Sequence, residues 1–407
     1  MKKTLLAAAL LAGFAGAASA QSSVTLYGVI DAGIRYSTVS LEAATSLNGK
    51  DSASNFGLGY GQQSGNRFGF RGVEDIGGGN KVTFVLENGF EPGNGTLQQG
   101  GRIFGRAAWL GLENSSWGYV RAGRQLNFAT EYVGIPVDPF GTGFGQLNMG
   151  AAFGVANTDR ISNSIKYQTP DMSGFQAGIG YAFANGSVTG YTDPSAAAGT
   201  SGYNFASTNN TRQLTLGAKY SNGPIYVAAS YDKVYGAQVA EGTVKKGTTL
   251  TQGMTNPVDV SGQSIDSWNI AGTYDFKVVK LAAGYGQTRN GVILGQGGGG
   301  TGAELSPRLG KGENVFVPGV GTNSYIVGAT VPVNPVSRVM LSWTLLTPNT
   351  NMKDAYNAKN QSAYNLAYSY DFTKRTNMYA MLGYMQNVGT VDTAKSTLIG
   401  VGLRHQF

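Results

Sequence analysis

The sequence predicts an all-β fold: a 16-stranded antiparallel transmembrane β-barrel whose third long loop folds inward. Three observations carry that expectation. Segment after segment alternates an apolar with a mixed face, the period of a strand. Short turns and long loops alternate along the chain, which sends the long loops to one end of a closed barrel. One long segment, residues 126–162 (LNFATEYVGIPVDPFGTGFGQLNMGAAFGVANTDRIS), interrupts the series after the fifth strand. It is too long for a hairpin turn and too apolar for a linker, and loops of this length are commonly functional.

Residues 1–20 read as an export signal peptide. Lys2 and Lys3 form a basic start, residues 5–17 an apolar run, and Ala18-Ser19-Ala20 a small-residue cleavage site. The run is short for a membrane helix, which needs about 20 residues, so the expected barrel spans residues 21–407. No later stretch has the 18 or more consecutive apolar residues of a membrane helix. Cysteine is absent, which excludes disulfides and thiol chemistry. The 62 Gly, 22 Tyr and 18 Phe with 13% charged residues suggest many strands joined by turns. The formal charge of +7 falls to +5 when Lys2 and Lys3 leave with the signal. That modest excess lacks the clustered basic surface nucleic acid requires, so no nucleic-acid partner is expected.

The first strand, residues 24–36 (VTLYGVIDAGIRY), sets Val24, Leu26, Ile30 and Ile34 on one face and Thr25, Tyr27, Val29, Asp31 and Arg35 on the other. After a loop over residues 37–65, RFGFRG at 67–72 opposes Phe68 and Phe70 to Arg67 and Arg71. The turn EDIGGGN leads to residues 81–90, where Val82, Phe84 and Leu86 oppose Lys81, Thr83 and Glu87. Residues 106–112 and 119–125 form the next hairpin, across ENSSWG. Beyond the central loop, strands are expected at 164–168, 175–183, 213–220, 225–232, 268–276, 278–288, 323–331, 336–345, 364–370, 378–386 and 397–407. Aromatics near strand ends, such as Tyr181, Trp268, Tyr274, Phe276, Tyr370 and Phe372, fit the girdles of a membrane barrel. Sixteen strands leave a water-filled channel rather than a side-chain core. The inward phase then places Thr25, Asp31, Arg67, Arg71, Glu87, Lys166, Gln213, Lys219, Asn269, Asn365 and Arg404 in that channel.

With SVTLYGVIDAGI near the start, NRFGFRGVEDIGGGNKVTFVLENGF, FGRAAWLGLENSSWGYVRAGRQ, DRISNSIKYQTP and the ending VGLRHQF, the whole mature chain resembles the general diffusion porins of the Gram-negative outer membrane, most closely the trimeric porins of β-proteobacteria. The resemblance implies a homotrimer of barrels and a third loop, residues 126–162, that narrows each pore. It maps the basic wall of the constriction onto Arg67, Arg71, Arg106 and Arg160, and the acids of the facing loop onto Glu131 and Asp138. Asp31, Arg35 and Glu87 are secondary lumen charges. The chain departs from the family at Val29, where a basic residue is usual. Arg124 shares the outward phase of Val120 and Ala122, so it is expected at the headgroup level or, by resemblance, at a subunit interface opposite a neighbour's Glu91. Phe407 looks like the terminal aromatic signal read by the outer-membrane assembly machinery. The implied partners are outer-membrane lipids and lipopolysaccharide, that machinery, and small hydrophilic solutes and ions.

Four arginines facing fewer carboxylates predict a mild anion preference, because a narrow low-dielectric frame focuses the field of its charged lining. Enzymatic chemistry is not expected: His405 is the only histidine, which leaves a serine nucleophile without a credible base and zinc without a ligand set. No cofactor or metal is called for. GLGYG at 57–61 and GQGGGG at 295–300 are not phosphate loops, since no strand–loop–helix surrounds them. A substrate-specific channel or a surface adhesin is the alternative function.

Overall fold

A computed structural model describes residues 23–41, 51–156, 160–183, 211–236, 262–293, 296 and 314–407. The signal peptide lies outside them, as do most residues of the loops expected after residues 183, 232 and 288. The strands are β1 (Ser23–Leu41), β2 (Asp51–Tyr60), β3 (Arg67–Gly77), β4 (Asn80–Gly89), β5 (Ala107–Asn114), β6 (Gly118–Leu126), β7 (Arg160–Gln168) and β8 (Phe175–Ala182). They continue with β9 (Arg212–Asn222), β10 (Ile225–Tyr235), β11 (Ser264–Asp275), β12 (Lys280–Val292), β13 (Val315–Asn334), β14 (Ser337–Pro348), β15 (Gln361–Asp371), β16 (Thr376–Gln386) and β17 (Lys395–Gln406). All seventeen form one antiparallel sheet.

The sheet closes because β1 pairs with β17 from Val29↔Gln406 to Ser40↔Lys395. Phe407 extends the seam: its N–H donates to the Gly28 carbonyl at 3.1 Å, and the Gly28 N–H donates to the Phe407 carbonyl at 3.0 Å. The other edge of β1 is shared. Its first half pairs with β3 (Ser23↔Val73 to Val29↔Arg67) and its second half with β2 (Ala32↔Tyr60 to Leu41↔Asp51). β2 and β3 are therefore one stave with a break at residues 61–66, and the barrel has sixteen staves, as the sequence predicts. The stretch expected to be loop, 37–65, is in good part strand. Asp51–Tyr60 escaped notice because it is mostly Ser, Asn, Gly and Ala, poor in the β-branched residues that announce a strand.

Asp31 holds the break. Its carboxylate accepts the N–H groups of Gln63 and Ser64, each at 2.7 Å, and the Tyr379 hydroxyl at 2.5 Å. Its own N–H donates to the Asn66 side chain, and its carbonyl accepts from Gly61. Gly61 sits at φ +63°, the left-handed region glycine tolerates. Expected as a lumen charge, Asp31 is fully buried and acts as the anchor of the kink.

The outward phase is apolar and exposed, as Val24, Leu26, Ile30, Phe70, Leu110, Ile270, Val327 and Leu341 show. In water such a surface would be an aggregation hazard; in hydrocarbon it is the solvated face. Aromatic rings mark both ends of this band. Trp268–Tyr285 and Tyr285–Tyr325 have ring centroids 5.3 and 5.1 Å apart toward the loop end, while Tyr274–Phe276 (4.4 Å) and Tyr370–Phe372 (5.3 Å) lie by the short turns.

Deleting Phe407 removes two seam hydrogen bonds, each worth about 1 kcal/mol net, and the ring lying over Gly28. The urea midpoint of micelle-refolded protein should drop by the equivalent of about 2 kcal/mol or more; an unchanged midpoint would show that the seam closes without it.

Candidate functional site

The central loop does fold into the barrel, and glycines on the inner wall make room for it. After Leu126 the chain forms a π-helical turn, Ala129–Gly134. Phe128 lies over Gly178 and Gly217 and Tyr132 also over Gly217, while Pro139 covers Gly328 and Leu147 covers Gly383. A Cβ on any of these four glycines would come closer than 3.0 Å to the ring or side chain it receives. Polar side chains of the wall complete the seat. The Asn127 amide donates to the Val155 carbonyl and to the Asp232 carboxylate, at 2.9 and 3.0 Å. The Tyr226 hydroxyl donates to the Tyr132 carbonyl (2.6 Å), Ser324 to the Ala152 carbonyl (2.7 Å), and Gln361 to the Ala151 carbonyl (3.0 Å). Ser396 meets Gln146 at 2.8 Å. The loop thus runs along the wall from β8 to β17 and leaves the side formed by β1 and β3–β6 uncovered.

This seat corrects part of the expected lumen lining. Lys166, Gln213, Asn269 and Asn365 do face inward, yet all four are buried, with the loop packed over the wall that bears them. Lys166 is the clearest case. Its ammonium pairs with Glu131 at 2.8 Å, donates to the Leu126 carbonyl at 2.7 Å, and stands 4.2 Å from the Phe128 ring centre.

The two acids expected to oppose the arginines therefore do something else. Glu131 is paired with Lys166. Asp138 is a turn anchor: one carboxylate oxygen accepts from the Phe140 N–H (3.0 Å), the other from the N–H groups of Thr142 (3.3 Å) and Met149 (2.9 Å). An Asp followed by Pro at the start of a tight turn satisfies nearby amides by design of its short side chain. Burial lifts this carboxyl to about 6, although the three amides pull the other way.

Of the four expected wall arginines, three are brought together. Arg106 Nε meets Glu87 Oε1 at 2.6 Å, Arg67 Nε lies 3.9 Å from Glu87 Oε2, and Arg160 Nε donates to the Arg106 carbonyl at 3.0 Å. The Tyr27 hydroxyl also donates to Glu87, at 2.9 Å. Arg404, expected in the lumen by its inward phase but not in the wall cluster, adds a fourth guanidinium that acts electrostatically on Arg67 and donates to Ser64 at 3.0 Å. Arg71 stands apart. Four residues down β3, it is exposed and lies 5.5 Å from the Tyr27 ring centre, because a strand rises about 3.3 Å per residue. Arg35 lines the same uncovered side, near Gly59.

Two further cations face aromatic rings, Arg121, which the sequence reading missed, and Lys219, which it placed in the channel. Arg121 sits 4.3 Å from the Trp109 ring centre and 3.8 Å from that of Tyr119, and the Lys219 ammonium 4.7 Å from that of Tyr132. The lumen phase of GYVRAGRQ held the signal for Arg121. Arg124, expected at an interface with Glu91, donates within its own chain to the Gly105 carbonyl (2.7 Å) and the Ser162 hydroxyl (2.6 Å). Glu91 accepts from Gln98 at 3.1 Å.

A closed sixteen-stave barrel with an apolar belt outside, a charged cluster inside and a loop seated across its lumen is a membrane channel. The Gram-negative porin family model matches residues 7–390, and the chain belongs to that family. It is 42% identical to an outer membrane porin of Bordetella pertussis and 30% identical to outer membrane porin protein 32 of Delftia acidovorans, each alignment covering both chains in full. Its fold is shared with the anion-selective porin from Comamonas acidovorans, at 24% identity and a TM-score of 0.65 over 95% of this chain and 100% of that one. The protein is an outer-membrane porin, a multi-pass β-barrel through which ions and small solutes diffuse passively.

Two outcomes test the seat. Gly178→Val places branched carbon against the Phe128 ring, so the loop should lift from β8 and single-channel conductance should change by tens of per cent; wild-type conductance would show the socket to be dispensable. The raised Asp138 carboxyl lies above its unfolded value of about 3.9. Its contribution to stability is therefore full in acid and is lost as pH rises from about 4 through 6, by up to about 3 kcal/mol. Urea midpoints at pH 4 and pH 7 should show that loss in the wild type and not in Asp138→Asn.

Proposed function

We propose that this channel passes small hydrophilic anions more readily than cations, and that Arg67, Arg106 and Arg160, with Arg404 beside them, set the preference at the constriction formed with loop 126–162. The observation that carries this reading is the imbalance at the cluster: four guanidiniums stand with two carboxylates, Glu87 and the buried Asp31 opposite Arg404, while both loop acids are spent on Lys166 and on the loop's own amides. Opposed rows of unlike charge would give a transverse field; a cluster of one dominant sign gives a net attractive potential for anions, focused by the low-dielectric frame. Guanidinium suits the role because it stays protonated next to its like. The anion-selective Comamonas porin of the same fold accords with this. Arg71 and Arg35 line the approaches and contribute less.

The mature chain is taken to begin after residue 20 and to assemble as a homotrimer, with Arg124 and Glu91 near the subunit contact. Phe407 is read as the mark for the assembly machinery, and lipopolysaccharide as a lipid partner.

Arg67→Glu with Arg106→Glu should move the reversal potential toward cation preference in planar bilayers, strongly at 0.1 M salt and weakly at 1 M, where the Debye length falls to about 3 Å. Arg71→Glu should shift it less. An unchanged reversal potential in the double variant would remove the cluster from the selectivity mechanism.

A further inference from the structure

The lumen holds a second set of cations at its short-turn end, away from the arginine cluster. Arg67 and Arg160 open β3 and β7, and Arg106 stands just before β5, all at the loop ends of their strands. Tyr119 and Arg121 lie near the start of β6, just after the short turn that follows β5, and Gln168 closes β7. Lys219 lies near the end of β9, before another short turn. Arg160 and Gln168 are the first and last residues of β7, about 26 Å apart along the strand.

Register stacks this end in layers. Arg121 stands opposite Gly111, Tyr119 opposite Glu113 one layer nearer the turn, and Trp109 opposite Gly123 one layer nearer the loop. The guanidinium therefore lies between two rings, 3.8 Å from the centre of Tyr119 and 4.3 Å from that of Trp109. Gly111 makes room for it, since a Cβ there would come within 2.9 Å of Arg121 Cγ. The Tyr119 hydroxyl donates to Gln168 Oε1 at 3.2 Å, and the Tyr132 hydroxyl donates to the same atom at 2.6 Å. The Lys219 ammonium is 4.7 Å from the Tyr132 ring centre. One amide oxygen thus ties both cation–ring groups into one wall.

No ion pair among the described residues holds Arg121 or Lys219. Arg121 Nε is buried with no hydrogen-bond acceptor among them. Glu131, the nearby acid of the loop, is paired with Lys166 at 2.8 Å. Glu113 acts on Tyr119 and Asp171 on Lys219 through charge alone. Arg121 and Trp109 are both half-buried, so each keeps part of its surface toward the channel. A guanidinium stacked between rings still presents its N–H edge to an anion.

We propose that this wall is a subsite for small aromatic carboxylates, with the carboxylate on the N–H edge of Arg121, in the field of Lys219, and the ring against the open part of the Trp109 indole. Two features argue for that class. Guanidinium matches the two oxygens of a carboxylate with parallel bonds. Aromatic surface stands beside the charge, so an anion that carries a ring gains from both, and a bare anion from one. The subsite rests on the channel reading and is independent of which residues set ion preference.

Single-channel recording in planar bilayers tests it, in chloride with millimolar sodium benzoate, sodium acetate or benzyl alcohol. Benzoate should interrupt the wild-type current. Acetate has the charge without the ring and benzyl alcohol the ring without the charge, and neither should do so. Arg121→Lys keeps the charge and loses the planar fork, and should shorten the interruptions about tenfold. Trp109→Leu should shorten them about fivefold. Chloride current through each variant shows that it has folded. Arg67→Glu with Arg106→Glu should change the reversal potential and the frequency of entry but keep interruptions of wild-type length, which separates the two readings. An uninterrupted wild-type current in benzoate, equal interruption by acetate or benzyl alcohol, or wild-type durations in either Arg121→Lys or Trp109→Leu would overturn the proposal.

Discussion

Hydrocarbon offers no partner for a peptide N–H or C=O, and that one constraint shapes the rest of this molecule. It requires a sheet without edges, so β1 must find β17, and Phe407 must meet Gly28 to finish the seam. A ring of sixteen staves is too wide for side chains to fill. The result is an inner surface that needs either water or a second layer of protein. This chain uses both: the loop after β6 covers one side of the wall, and the other side stays open to solute.

The covered side adds a reason for the composition besides turns. Glycine is abundant partly because the wall receives a bulky loop at close quarters. Gly178, Gly217, Gly328 and Gly383 are strand residues whose missing side chains are replaced by Phe128, Tyr132, Pro139 and Leu147. The cost of glycine within strands, up to about 1 kcal/mol each, is offset by large rings packed without voids. The stave break at residues 61–66 meets the same loop at its tip, where Gly143 lies against the Gln63 backbone. Asp31 and Asp138 are a matched pair in this respect, two buried carboxylates that each gather amides of an irregular segment.

Much of this was legible in the sequence. Period-2 alternation found the sixteen staves, and the inward phase found Arg67, Glu87, Lys166, Lys219 and Arg404. The segment 126–162 announced itself by length and apolarity. Three things were not legible. Alternation says that Lys166 points inward but not that a loop will bury it, since that depends on contacts between residues far apart in sequence. The same phase on β3 holds Arg67 and Arg71, yet only depth along the strand decides which one meets Arg106. Glu131 and Asp138 looked like free acids because charge is readable from sequence and partnership is not. Their internal roles leave fewer free acids opposite the arginines than the sequence suggests.

The way the loop is seated also bears on how the molecule comes together. Its contacts run from Gly178 on β8 to Ser396 on β17, so the surface it rests on does not exist until staves far apart in the chain stand side by side. Such long-range contacts form late, after the entropy of closing large loops has been met. A circle left short of one stave would present sockets at the wrong separation, and the loop would find no complete bed. Docking of the loop is in this sense a gauge of circumference: it rewards the ring that has the right number of staves.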